Sequence, residues 1–181
     1  MSIIDTVKNG GVIVYPADTV WGIGGDATNE TLIKKIIRIK KRPPGKGFIV
    51  LVSDYDMLLQ VVGEIPPQAV EIIQKSIRPT TIVYPSFRNL PPLAGAPDGS
   101  IAVRMVKKGF AKNLIEAVRL PLISTSANMS GQPTPLHFDQ ISDAILRQAD
   151  YVVHLHRKSI DTKPSRIIKI MPDGSLKIIR D

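Results

Sequence analysis

The sequence of 181 residues contains no cysteine, and aromatic residues make up only 5% of it. Without cysteine the chain cannot form disulfides, thiolate zinc sites or a cysteine nucleophile. The low aromatic content, with no aromatic-rich strand, argues against a surface that stacks single-stranded bases. No apolar stretch approaches the roughly 20 residues that span a bilayer, so we expect no membrane span and a cytoplasmic location.

Familiar catalytic and metal-binding motifs are also missing. Residues 45–47 lack the spacing of a phosphate-binding Walker loop, and Ser126 does not lie in the Gly-x-Ser-x-Gly motif of serine esterases. The three histidines are His137, His154 and His156. With so few nitrogen ligands and no thiolate, we interpret them as solvent-exposed and predict no metal held by protein side chains.

Positive charge is what the chain has in excess. Lysine and arginine number 24 against 16 acidic residues, which gives a net charge of +8. This balance indicates anionic partners such as nucleotides, RNA or an anionic membrane surface, or a basic surface that has no specific target. The hydrophobic fraction of 43% is that of an ordinary globular protein. We find no internal repeat or long linker, and predict a single domain over residues 1–181.

Strand and helix patterns alternate along the chain, which predicts a layered α/β or α+β domain. The predicted strands are 12–15, 48–52, 80–84, 101–105, 122–125 and 151–154, with a terminal hairpin of 166–171 and 175–179. The predicted helices are 3–8, 29–41, 54–61, 67–77, 110–118 and 137–148. Residues 16–28 and 85–99 are predicted to be loops, the first because it is rich in glycine and the second because it is rich in proline.

A basic cluster ends the predicted helix 29–41. At 100° per residue, Lys40 continues the apolar row of Leu32 and Ile36, so it projects from the buried face. A lysine there must either extend past the helix end to water or meet an anion. Arg42, just before Pro43, places a second cation at the same helix end, where the helix dipole also favours positive charge.

A second polar cluster, the segment 124–131, follows a predicted strand and carries four hydroxyls and one amide. Such groups donate neutral hydrogen bonds to phosphates or carboxylates, and they also stabilise turns. We interpret this segment and the basic cluster as two halves of one anion site. Thr19, on the loop after the first strand, and Arg104, on the strand 101–105, are further candidates. Arg104 is either an exposed strand residue or the partner of a carboxylate.

Taken together, these residues resemble the YrdC-like family, specifically its single-domain threonylcarbamoyl-AMP synthases. The resemblance covers residues 11 to 180. It rests on five motifs in the family's order: Tyr-Pro-x-Asp-Thr-Val-Trp-Gly at 15–22, Lys-x-Arg at 40–42, Ser-Ile-Ala-Val-Arg at 100–104, Ser-Thr-Ser-Ala-Asn-x-Ser-Gly at 124–131 with Thr134, and Lys-Pro-Ser at 163–165 with Ile-Ile-Arg at 178–180.

The resemblance implies a YrdC/RibB-like fold, in which helices flank a twisted, open, mixed sheet around a large positively charged cavity. It also implies a nucleotidyltransferase that condenses L-threonine, bicarbonate or CO2 and ATP to threonylcarbamoyl-AMP and pyrophosphate. Mg²⁺ would enter with ATP. Other proteins would then transfer the threonylcarbamoyl group to adenosine 37 of tRNA, which forms N6-threonylcarbamoyladenosine (t6A).

Site residues follow from the matching motif positions. Threonine would be bound by Thr19, Arg104, Ser124 and Ser165. ATP would be bound by Lys40, Arg42, Lys46, Ser100, Ser126, Asn128, Thr134 and Arg180. Of these, Lys40 and Arg42 would be catalytic, because fixed cations stabilise the charge that develops on phosphoryl oxygens.

The sequence departs from the family pattern at several positions. Ala17 replaces a usual threonine, and Leu51 replaces a histidine that often contacts threonine. Lys46 and Gly47 replace a common Asn-Pro pair, and Arg166 replaces a usual threonine or serine. These changes bear on threonine selectivity, while Lys46 would offset a lost phosphate contact.

Two other functions are considered. The first is a non-enzymatic protein that binds double-stranded RNA or tRNA through a basic cavity. The second is a carbamoyl-transfer module like the YrdC-like domain of hydrogenase maturation proteins. That domain usually comes with cysteine-rich zinc motifs, which this chain lacks.

Overall fold

A computed structural model describes residues 1–43, 45–154 and 163–181. Within this part of the chain, fifteen longer elements alternate as follows: α1 Ile3–Lys8, β1 Ile13–Pro16, β2 Trp21–Asp26, α2 Glu30–Lys40, β3 Ile49–Val52, α3 Tyr55–Val62, α4 Pro67–Lys75, β4 Thr80–Tyr84, β5 Ile101–Met105, α5 Phe110–Val118, β6 Leu122–Ser126, α6 Asp143–Leu146, β7 Tyr151–Val152, β8 Arg166–Ile170 and β9 Leu176–Arg180. Two short 3₁₀ turns lie at Pro92–Ala94 and Phe138–Gln140. The alternation of strands and helices is as predicted.

The strands of the described residues join in one twisted sheet in the order β7-β1-β2-β6-β3-β5-β4-β8-β9. The sheet is mixed, because β3 runs parallel to β5 and β4 parallel to β8, while β2 and β3 are both antiparallel to β6. Helices flank it: α5 packs on β1 and β3, and α2 packs on β2. No helix in the described residues has the length and apolarity to cross a bilayer.

Helix α2 carries the basic cluster, and its ends are fixed by the sequence. The Asn29 side chain accepts a hydrogen bond of 3.0 Å from the backbone N–H of Leu32, which begins the helix. Lys41 ends it in the left-handed conformation at φ 49°. Lys40 lies on the buried face with Ile36, as the helical periodicity predicts, and is only 2% exposed.

The prediction of a loop over residues 16–28 is wrong, since β2 occupies its second half. The glycines that suggested a loop are instead required by close packing. A β-carbon on Gly24 would collide with the carbonyl oxygen of Ile123, and one on Gly25 would lie 2.5 Å from Leu32 Cδ1. A glycine-rich strand therefore allows β2 to lie close to β6 and α2.

The prediction of one helix over residues 137–148 is also wrong. The segment forms a 3₁₀ turn and then the short α6, separated by Ile141 and Ser142, whose backbones are extended. This break keeps Ile141 buried while Ile145 is buried from α6. Burial of both side chains has overridden the local helical pattern.

Candidate active site

A cavity of about 410 Å³ lies against the central and C-terminal strands of the sheet. Its wall includes Ala102 of β5 and Ile167 of β8. The charged side chains among the described lining residues are Arg42, Arg104 and Arg180, and none of the described lining residues is acidic. The volume falls within the range of small-molecule sites, and a wall whose charged groups are all guanidinium suits an anionic ligand.

Most of the predicted site residues meet in this cavity. The described lining includes nine of them: Thr19, Arg42, Ser100, Arg104, Ser124, Ser126, Thr134, Ser165 and Arg180. Three predicted residues are not part of that lining: Lys40, Lys46 and Asn128. The basic cluster and the segment 124–131 are brought together, since Arg42 NH1 lies 3.5 Å from Thr125 Oγ1 and Lys40 bonds to the carbonyl of Ser126.

Arg104 is buried and paired with a carboxylate, not exposed on the strand. Its Nε and NH2 groups donate to Asp18 Oδ1 over 3.1 and 2.9 Å. Its NH1 group donates to Thr81 Oγ1 over 3.3 Å. Both contacts hold the guanidinium fixed, and neither partner was assigned to the site from the sequence. Asp18 precedes Thr19 at a strand exit, and Thr81 is a polar residue on a largely apolar strand, which are the signals that point to them.

Ser165 and Arg180 form a second fixed pair at the same end of the cavity. Arg180 donates from Nε to the Ser165 carbonyl over 2.9 Å and from NH2 to Ser165 Oγ over 3.3 Å. Ser165 Oγ also lies 2.8 Å from Thr81 Oγ1. Burial, and then repulsion from Arg104, lowers the pKa of Arg180. A chain of hydrogen bonds therefore links Arg180 through Ser165 and Thr81 to Arg104.

Ser124 is oriented by a buried phenol. The Tyr15 hydroxyl donates to Ser124 Oγ over 2.8 Å, and burial raises the pKa of Tyr15 to about 12. Tyr15 therefore stays protonated at neutral pH. Because Ser124 Oγ accepts this bond, its own proton is left to donate into the cavity.

Lys40 is hydrogen-bonded to the backbone of the segment 124–131. Its ammonium donates to the carbonyls of Ser126, over 2.5 Å, and Asn128. The Lys40 carbonyl in turn accepts from the N–H of Ser130 over 2.9 Å. Burial, and to a lesser extent repulsion from Arg42, lowers the pKa of Lys40 to about 8. From the sequence we expect Lys40 to reach either water or an anion, and the structure instead gives it backbone carbonyls of the segment 124–131 as partners.

Arg42 lies at the cavity wall above Phe48, with its guanidinium carbon 4.5 Å from the ring centre. It donates to the carbonyls of Gly47 over 2.7 Å and Lys46 over 3.3 Å. Burial lowers the pKa of Arg42. The Lys46 side chain lines a neighbouring pocket of about 600 Å³ beside the proline-rich connection instead of the main cavity. Lys46 and Gly47 thus support Arg42 through their backbones.

The hydroxyl proton of Ser100 is engaged in a hydrogen bond with Asp98. Its hydroxyl donates to Asp98 Oδ1 over 2.5 Å, and its N–H donates to the same oxygen over 3.0 Å. These bonds, with Lys169 at 3.1 Å from Asp98 Oδ2, lower the pKa of Asp98 to about 2. Ser100 Oγ therefore faces the cavity as a hydrogen-bond acceptor.

The departures from the family pattern lie at different places. Ala17 lines the cavity. Leu51 is fully buried and lies opposite Arg104 in the register of β3 and β5. Arg166 lies outside the cavity lining and pairs with Asp181 over 3.0 Å.

The described residues contain no group of three or more His, Cys, Asp or Glu side chains placed to hold a metal ion. His137 and His154 are exposed, and His156 lies outside the described residues.

Comparison with known proteins identifies the family. Residues 5–181 match the model of the Sua5/YciO/YrdC domain, which is described as telomere recombination. The chain is 33% identical over 153 residues to a threonylcarbamoyl-AMP synthase of Pseudoalteromonas translucida, a match that covers 83% of this chain and 82% of the relative.

Solved structures share the fold. Sua5 of P. abyssi carrying H234A/Y235A superposes with a TM-score of 0.87 at 25% identity, covering 98% of this chain and 54% of that one. Its complex with L-threonine gives a TM-score of 0.83 at 24% identity, with coverage of 98% and 52%. E. coli YciO superposes with a TM-score of 0.84 at 24% identity, covering 98% of this chain and 86% of that one. The chain therefore spans about half the length of Sua5 and most of YciO.

Proposed function

The chain belongs to the Sua5/YciO/YrdC family, and from that premise we propose that it is an L-threonylcarbamoyladenylate synthase. As a nucleotidyltransferase, it would condense L-threonine, bicarbonate or CO2 and ATP to threonylcarbamoyl-AMP and pyrophosphate. The product would supply the t6A modification of tRNA adenosine through separate transfer proteins. The relative from Pseudoalteromonas translucida bears the name of this activity.

One observation carries the proposal: a single cavity joins two chemically different anion-binding ends. Arg104 and Ser165 are linked through Thr81, Arg42 contacts Thr125 next to Ser126, and both groups of side chains line the same cavity. A reaction between an amino acid and a nucleotide needs a site for a carboxylate beside a site for phosphates. Holding two reactants in one cavity, in the orientation that the reaction needs, supplies much of the rate enhancement for such a step.

At the first end, the threonine carboxylate would be bound by Arg104, Ser124 and Ser165, with Thr19 beside them. The amine nitrogen of threonine then forms a bond to the carbon of CO2 and releases a proton, which gives a carbamate. When bicarbonate is the reactant, its C–OH bond breaks and the hydroxide takes up this proton, so that water leaves instead. No protein nucleophile takes part in this step, so the contribution of the chain is to orient the amine.

At the second end, a carbamate oxygen attacks the α-phosphorus of ATP, and the bond from that phosphorus to the bridging oxygen of pyrophosphate breaks. Negative charge grows on the phosphoryl oxygens and on the leaving group, and fixed cations stabilise it. Arg42 lies at the wall to do this. Lys40 lies behind the lining and bonds to the carbonyls of Ser126 and Asn128, so its catalytic part would be to place positive charge next to the segment that would contact the phosphates.

The remaining nucleotide contacts would come from Ser100, Ser126, Asn128, Thr134 and Arg180. Since Ser100 Oγ is an acceptor, it suits a hydroxyl or amine of the nucleoside better than a phosphate. Mg²⁺ bound with ATP would neutralise part of the triphosphate charge.

The test is pyrophosphate release from ATP with Mg²⁺ and bicarbonate, measured with L-threonine, serine, glycine or no amino acid. We expect release that depends on threonine, and mass spectrometry should identify threonylcarbamoyl-AMP. Release with serine or glycine instead would mean that the reaction is the same but the amino-acid substrate is different. The replacements at Leu51 and Ala17 would then explain the changed selectivity. No release from folded protein, together with salt-sensitive binding of tRNA, would favour the non-enzymatic RNA-binding function.

A further inference from the structure

The buried hydroxyl of Thr81 contacts two side chains on which the proposed threonine site depends. Thr81 lies on β4 with 0% of its surface exposed. Its Oγ1 accepts from Arg104 NH1 over 3.3 Å and lies 2.8 Å from Ser165 Oγ. No sequence motif of the family resemblance includes this residue.

The direction of the bond between the two hydroxyls follows from their neighbours. Arginine only donates, so Thr81 accepts from Arg104, and Ser165 accepts from Arg180 over 3.3 Å. If Ser165 gave its proton to Thr81, the proton of Thr81 would be buried without an acceptor among the described residues. If Thr81 gives its proton to Ser165, every group is satisfied, and the Ser165 proton is free for a ligand in the cavity.

The same contacts decide which face of Arg104 is available. Asp18 takes the Nε group and one N–H of NH2, and Thr81 takes one N–H of NH1. One N–H on each terminal nitrogen is then left for a substrate. Two N–H groups side by side match the two oxygens of a carboxylate.

Resting on the proposed function, we propose that Thr81 is a positioning residue for the threonine carboxylate. It holds the Arg104 guanidinium so that its terminal N–H groups face the cavity. It also turns the Ser165 hydroxyl into a donor toward the same carboxylate. Thr81 does not contact the substrate itself, so its removal should weaken threonine binding without changing the chemical step.

The test is Thr81→Val, which keeps the shape of the side chain and removes its hydroxyl. We expect the KM for threonine to rise about tenfold or more, since bonds to charged groups are lost from a buried site. The KM for ATP and kcat at saturating threonine should change less than about twofold. Calorimetric titration of threonine without ATP should show the same loss of affinity.

Two further variants separate positioning from folding. Thr81→Ser keeps the hydroxyl and loses the methyl group, so we expect its threonine KM to stay within about threefold of the parent protein. Thr6→Val is the matched control: Thr6 is 3% exposed, bonds to the carbonyl of Ser2 at the start of α1 and is not among the residues that line the cavity. It should leave both KM values unchanged. Thermal melting shows whether each variant is folded.

The outcomes distinguish this inference from the proposed function. If the parent protein releases pyrophosphate with threonine but Thr81→Val has an unchanged threonine KM, the positioning role is overturned and the function stands. Equal losses in Thr81→Val and Thr81→Ser also overturn it, because packing would then explain the effect. If Thr81→Val does not fold, the threonine KM values of Thr81→Ser and Thr81→Ala are compared instead. We then expect the KM to rise in the alanine variant only, and an equal rise in both would overturn the positioning role. No threonine-dependent release or threonine binding by the parent protein overturns both proposals.

Discussion

The two ends of the cavity differ in how their side chains are held. The four residues proposed to bind threonine are all buried, with exposures of 2% for Ser165, 4% for Thr19 and Arg104 and 5% for Ser124. Of the residues proposed to bind the nucleotide, Arg42, Ser126 and Thr134 are partly exposed, and Arg180 is exposed although its guanidinium is bonded to Ser165. The first end is fixed before a ligand arrives, and the second is open to solvent. Under the proposed function, a small amino acid would enter a preformed pocket, whereas the nucleotide would bind along more exposed side chains.

Among the substitutions that test this difference between the two ends, Arg104→Gln should have the largest effect. It removes the proposed carboxylate ligand and leaves Asp18 as an unpaired charge in a site with little water. We expect threonine-dependent turnover to fall at least about 100-fold and unfolding free energy to fall by roughly 3–5 kcal/mol. Steady-state kinetics and urea unfolding measure the two losses.

A double variant, Asp18→Asn with Arg104→Gln, serves as the control. With both charges gone, much of the lost stability should return while turnover stays low. Recovery of turnover along with stability would contradict a direct role of Arg104 in binding.

A smaller effect is expected at the open end. Arg42→Gln removes the cation of the nucleotide wall, so the KM for ATP should rise about tenfold, the usual scale for a lost charge-assisted hydrogen bond. Threonine binding should not change. Arg38→Gln, which removes an exposed cation from the last turn of α2, is the matched control, and an equal effect there would show that only net charge matters.

A smaller effect again is expected for the phenol behind Ser124. Tyr15→Phe removes the bond that directs the Ser124 proton, and the KM for threonine should rise roughly threefold to tenfold, the scale of one neutral hydrogen bond. Tyr84→Phe changes a tyrosine that is also buried but for which no hydrogen bond to Ser124 exists. It should leave the threonine KM unchanged, and parallel effects in both variants would refute the role of Tyr15.

The smallest expected effect is a change in turnover with pH. Lys40 is protonated below its pKa of about 8, so turnover should decline as pH rises through that value and the ammonium loses its charge. Arg42 depresses this pKa by repulsion, so Arg42→Gln should move the declining limb to higher pH. A profile of kcat against pH that is flat across this range, or an unmoved limb in Arg42→Gln, would show that the charge of Lys40 is not used.

The sequence predicts the fold well where periodicity is simple. Helix α2, strand β5 and helix α5 are where the patterns place them, because each buries a continuous apolar face. The failures at β2 and at 137–148 have tertiary causes: glycines demanded by the close approach of β6, and a bend that buries Ile141. Such contacts depend on distant segments and leave no local pattern.

For the candidate site, too, some features could be predicted from the sequence and others could not. The motifs predict which polar side chains converge, including Arg42 and Ser126. They do not predict the contacts that orient them, because those partners lie far apart in sequence. Asp18 and Arg104 are 86 residues apart, and Thr81 and Ser165 are 84 apart. The positions of Lys46 and Lys40 outside the cavity lining likewise depend on how loops pack.

The most direct test of the account is equilibrium binding of each substrate at each end, measured by titration calorimetry. L-threonine and ATP with Mg²⁺ are titrated separately into the parent protein, Arg104→Gln and Arg42→Gln. The account predicts that Arg104→Gln loses threonine binding and keeps ATP binding, and that Arg42→Gln weakens ATP binding and keeps threonine binding. Equal loss of both ligands in each folded variant would contradict a cavity with two separate recognition ends.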